Sequence, residues 1–78
     1  MKNRNKVHLT ICGIECVVGS DDPESYVLSV GDEVQKAMNG VMSKNDRIST
    51  TMAAVIAALS FCDDARKAKD SADNLRSQ

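Results

Sequence analysis

Apolar and polar residues alternate near the start of the chain, with Val7, Leu9 and Ile11 set against Lys6, His8 and Thr10. A period of two places every second side chain on one face, so residues 6–12 predict a strand with one buried side. Gly13 interrupts the pattern, and Glu15-Cys16-Val17-Val18 resumes it with β-favouring residues. A tight turn around Cys12-Gly13-Ile14 would close a β-hairpin, with glycine where the turn demands a positive φ. An isolated hairpin is barely stable in water, so its apolar face must rest on something.

The candidate cover follows at once. In GSDDPES, Asp21 or Asp22 can cap a helix N-terminus, Pro23 fits the first helical position, and Glu24 complements the positive end of the dipole. Val27, Val30, Val34, Ala37, Met38 and Val41 then recur at helical spacing, with Asn39 and Gly40 near the expected end. Gly31 weakens this helix by about 1 kcal/mol relative to alanine.

After the polar link Ser43-Lys44-Asn45-Asp46-Arg47, Ser49 or a neighbour can cap a second helix, and residues 49–78 contain neither Gly nor Pro. Thirty helical residues extend about 45 Å. A compact globule of this chain length is only about 30 Å across. The helix is therefore expected to project beyond the head, where its own chain cannot pack it.

Two stripes run along this helix. Met52, Val55, Leu59 and Cys62 form a larger apolar stripe in the first half, expected to pack on the head. Ala54, Ala58, Phe61, Ala65, Ala68, Ala72 and Leu75 follow four-three heptad spacing, a seam suited to a partner helix. Asp63, Asp64, Arg66, Lys67, Lys69, Asp70, Asp73 and Arg76 surround the distal seam as a jacket of mixed sign. The competing reading is a solvated helix, rich in alanine because alanine favours helices. The expected architecture is α+β and one domain overall. An N-terminal β-hairpin and a short helix form a head over residues 1–48. The long C-terminal helix over 49–78 packs on the head in its first half and forms a coiled coil in its second.

Composition sharpens the case for self-association. Seventy-eight residues include no Trp, one Tyr (Tyr26) and one Phe (Phe61), and much of the 42% hydrophobic fraction is Ala and Val. Such a chain buries only about 60% of the surface its unfolded form exposes. Disulfides, a metal or oligomerisation usually make up the shortfall. Cys12, Cys16 and Cys62 are odd in number and lack C-x-x-C spacing, and His8 is the sole histidine. Free thiols acting as small hydrophobes in a reducing cytoplasm are the expectation, which leaves oligomerisation.

The net charge of −1 gives no global pull toward nucleic acid or membrane. Lys2, Arg4 and Lys6 make a basic start without interleaved aromatics to stack bases, so nucleic-acid binding is not expected. No segment reads as a signal peptide or a membrane span. Phosphate loops, dinucleotide fingerprints and nucleophile elbows are absent from the sequence. Asp21-Asp22 and Asp63-Asp64 lack the convergent partners that acid–base chemistry requires. Cys12 has no neighbouring base to activate it. The expectation is a non-enzymatic protein without a cofactor or metal.

The order of strand, Gly turn, strand, acidic-Pro cap, helix, polar link and long Ala-rich helix is similar to the ZapA family of bacterial cell-division proteins. The matching residues are Val7 to Gly13, Asp22-Pro23-Glu24, Ile48-Ser49-Thr50-Thr51, and Ala53-Ala54-Val55-Ile56-Ala57-Ala58-Leu59-Ser60 followed by Asp63. The similarity covers roughly residues 6–65. It implies a cytoplasmic division-site protein, a dimer or dimer of dimers whose long helices pair as coiled coils. It also implies binding to the tubulin-like GTPase FtsZ, whose filaments such proteins align or cross-link at mid-cell. Members of this family often have a longer rod, of which this chain presents the first part.

Some members place basic residues where this chain has Ile14 and Val17, and a carboxylate where it has Thr51. Ile56 matches an apolar position implicated in partner contact. The remaining polar candidates on the head are Lys6, His8, Glu15, Asp46 and Arg47. The alternatives are a small coiled-coil nucleic-acid-binding module, resting on the basic start and Arg66-Lys67-Ala68-Lys69, and a general scaffold. A thiol-dependent function would rest on Cys12 and Cys16 alone.

Overall fold

The computed structural model describes residues 5–77, with side chains as far as residue 71. Two antiparallel strands, β1 (Asn5–Ile11) and β2 (Ile14–Ser20), precede two helices, α1 (Glu24–Lys44) and α2 (Thr50–Ser77). The hairpin is as expected, but its turn is tighter, since Ile14 already pairs with Ile11 and only Cys12-Gly13 remain as the loop. Both loop residues have positive φ, 50° at Cys12 and 83° at Gly13. That is the requirement of a type I′ turn, whose twist matches that of the flanking strands.

Cys12 pays the usual β-carbon penalty of this conformation and is held by α1. Its backbone N–H donates to Gln35 Oε1 at 3.0 Å, and its thiol lies 3.4 Å from Asn39 Oδ1. The hairpin tip is thereby fastened to the helix that covers it.

The register puts Val7, Leu9 and Ile11 on one face with Val18, Cys16 and Ile14. Helix α1 lies against the β1 half of this face, where Val7 is fully buried with Val27 also inside. Gly31 is buried too, because Leu9 approaches the helix backbone closely there. What reads in sequence as a weak point in a helix is a contact made possible by a missing side chain.

Three expectations for α1 require correction. Neither Asp21 nor Asp22 supplies the cap: Pro23 is the N-cap, without a side-chain hydrogen bond, and its carbonyl accepts from the N–H groups of Tyr26 and Val27. Asp22 instead ties the loop together: its N–H donates to Ser20 Oγ, and its carbonyl accepts from Asn5 Nδ2. The helix is not short, running through Asn39 and Gly40 to Lys44 over 21 residues. Val30 is exposed, because the buried line is Val27, Gly31 and Met38.

Ser49 caps α2 as expected, its Oγ accepting from Met52 N–H at 3.0 Å. The α1–α2 contact closes a small core of Met38, Ala53 and Ala57, flanked by Ile11, Val34, Ala37, Val41, Ile48 and Ala54. Four residues apart, Ala53 and Ala57 share one helical face, and their small side chains let the two helices meet closely.

This contact overturns the assignment of the larger stripe. Met52, Val55, Leu59 and Cys62 do not pack on the head; all four are exposed. At 100° per residue they lie on the side of α2 opposite Ala53 and Ala57. From Ala58 to Ser71 every residue of α2 is exposed, so the helix does project. The radius of gyration is 15.6 Å, against about 11–12 Å for a compact chain of this length.

Candidate functional site

Among the described residues no cluster of His, Cys, Asp or Glu could hold a metal ion. What the molecule offers is surface, of two kinds.

The first is the outward face of the hairpin. Cross-strand pairing puts Lys6, His8 and Thr10 on one side with Gly19, Val17 and Glu15. Lys6, His8 and Glu15 are all exposed. Val17 stands among these polar residues at 60% exposure, and Ile14 on the opposite face is 46% exposed. The two positions singled out in sequence for lacking charge are thus both apolar groups open to solvent. Asp46 and Arg47 belong to the exposed α1–α2 link, where Arg47 N–H donates to Asn45 Oδ1. Thr51 is exposed in the first turn of α2. Ile56 is half-buried and lines a groove between the two helices. The candidate partner residues therefore form a hairpin group and a helix-junction group.

The second surface is α2 itself. Along the heptad seam, Ala54 is half-buried against the small core, whereas Ala58, Phe61, Ala65 and Ala68 are exposed. Ala72 and Leu75 lie outside the residues whose side chains are described. The seam thus leaves the head at Ala58 and continues uncovered along the projecting helix. Sequence reasoning missed the outward position of Met52, Val55 and Leu59, which belong to the same uncovered rod. The signal was available in Ala53 and Ala57: a small-residue pair at i, i+4 marks close helix packing as well as a large apolar stripe does.

Charge along the rod is locally balanced. Lys67 Nζ lies 2.8 Å from Asp63 Oδ2, one turn away. Part of the run Arg66-Lys67-Ala68-Lys69 is therefore paired within its own helix, which weakens it as a phosphate-binding stripe.

The order of these elements, and the residues that build them, match a family model described as cell division protein ZapA over residues 7–78. The chain belongs to the ZapA family. It is accordingly a cell-division protein, and the ZapA match takes in the hairpin from Val7 onward and all of α1 and α2. No curated protein and no solved structure shows a significant match to it. Among the described residues no helix is long and apolar enough to cross a membrane.

Proposed function

We propose that this ZapA-family chain self-associates through α2, binds FtsZ through its head, and bundles or cross-links FtsZ filaments at the division site in the cytoplasm. The reading rests on family membership, joined to one structural observation. Helix α2 leaves its head at Ala58 with an apolar seam uncovered. A helix of that kind gains by pairing with another along Ala58, Phe61, Ala65 and Ala68, the seam extending through Ala72 and Leu75.

Bundling then follows from multivalency. Two or more weakly binding heads on a stiff rod bridge filaments because the first contact raises the effective concentration for the second. No chemistry is required of the chain, and no cofactor. On the head, the surface offered to FtsZ comprises Lys6, His8, Glu15, Asp46, Arg47, Thr51 and Ile56.

Co-sedimentation with assembled FtsZ from the same organism tests the proposal. The chain should pellet with the filaments and bundle them. Ala65→Asp, which puts a charge into the seam without a partner, should bundle less while its heads still bind. Absence of both binding and bundling at low salt would remove the FtsZ reading.

A further inference from the structure

We propose that the groove between the outer edge of β1 and helix α1 binds an extended peptide as an added strand. The side chains of that peptide that face α1 run basic, apolar, basic. The walls of the groove come from β1 and α1 alone, so its use depends on neither self-association nor FtsZ.

The backbone of β1 sets the class of ligand. Ile11 and Ile14 close the two-residue turn as a hydrogen-bonded pair, so the ladder bonds fall at Ile11, Leu9 and Val7. The N–H and C=O groups of His8 and Thr10 therefore point away from β2, and none of the described residues bonds to them. Cys12, the next residue in this phase, shows what such a group takes. Its N–H already donates to Gln35 Oε1 at 3.0 Å, an amide oxygen supplied by α1. A peptide carbonyl is the same acceptor, and an extended strand presents one at every second residue, the repeat of His8 and Thr10.

Helix α1 sets the side chains. Leu9 lies against Gly31 and Cys12 against Gln35, so strand and helix run in the same direction. Leu28, Asp32 and Gln35 wall one side of a recess of about 180 Å³, and β1 from His8 to Ile11 walls the other. Glu24, Leu28 and Asp32 form one exposed row along the helix, with about 6 Å between neighbours. Alternate residues of a strand are about 6.8 Å apart, so successive inward side chains of the peptide meet successive members of the row. Leu28, 46% exposed, takes the apolar one. Glu24 and Asp32 take a cation on either side of it; Lys36 holds Asp32 Oδ2 at 3.0 Å and leaves Oδ1. The order basic, apolar, basic reads the same from both ends, so it fits a parallel or an antiparallel strand. The β2 edge offers backbone groups of the same kind at Glu15 and Val17, but α1 packs on β1.

The test is an NMR titration of the full chain with acetyl-Lys-Thr-Leu-Thr-Lys-amide. Binding should saturate in the millimolar range or below, and the N–H groups of His8 and Thr10 should gain protection from hydrogen exchange. Those of Leu9 and Ile11, already in the ladder, serve as the internal reference. The same peptide with both threonines replaced by proline should not bind. Thr10→Pro removes an outward N–H where an edge strand tolerates proline, and should weaken binding roughly tenfold. Asp32→Lys, on an exposed helical face, should weaken it roughly threefold. Circular dichroism checks the fold of each variant, and Asp32→Lys carries the comparison if Thr10→Pro unfolds. The proposal is wrong if no saturable shift appears, if His8 and Thr10 gain no protection, or if folded variants bind like the parent. Protection at His8 and Thr10 that is present without peptide and lost on dilution would assign the edge to a second copy and overturn it as well.

Discussion

A β-carbon on Gly31 would lie 3.1 Å from Leu9 Cδ2, so the packing of Leu9 on α1 is fitted to a glycine at that position. Gly40, nine residues further along the same helix, has nothing around it. The two glycines should therefore respond oppositely. Gly31→Val forces bulk into a filled contact and should cost about 1–3 kcal/mol. Gly40→Ala should gain up to about 1 kcal/mol from helix propensity. Urea unfolding at matched protein concentration measures both.

Much of the head was legible in sequence because its signals are local. Alternation at Val7, Leu9 and Ile11, the glycine at position 13, and Ser49 ahead of the second helix each depend on a few adjacent residues. The errors arose where the outcome depends on what lies across the chain. Asp22 carries a capping side chain, but Asn5 and Ser20 engage its backbone in the loop, and Pro23 takes the N-cap. Size was equated with burial in α2, yet Ala53 and Ala57 make the head contact and the larger Met52, Val55 and Leu59 face outward. That α2 outruns its head, leaving Ala58, Phe61, Ala65 and Ala68 exposed, was readable from its length; the groove beside Ile56 was not, since it exists only when α1 and α2 cross.

The α1–α2 crossing gives a second prediction. Ala57 is buried against Met38 and Ala53. Ala57→Leu should wedge the helices apart and lower stability by about 1–3 kcal/mol, whereas Ala58→Leu, one residue along on an exposed face, leaves that contact intact. Thermal unfolding of the two variants, followed by circular dichroism, separates them.

The start of α2 gives a third. Ser49 Oγ accepts the Met52 N–H, so Ser49→Ala leaves that donor to water and should cost about 1 kcal/mol. Ser49→Asp should retain most of the stability, as a carboxylate accepts the same bond and favours the positive end of the helix dipole. Unfolding midpoints in urea, compared at equal slope, check this ordering.

The projecting helix buries its apolar edges only when another chain lies on them, and the native mass in solution reads this out directly. Sedimentation equilibrium of the unmodified chain, at micromolar concentration and physiological salt, should return at least twice the 8.4 kDa of a single chain. A mass of one chain that persists at the highest concentrations would mean that the rod stands in water on its own.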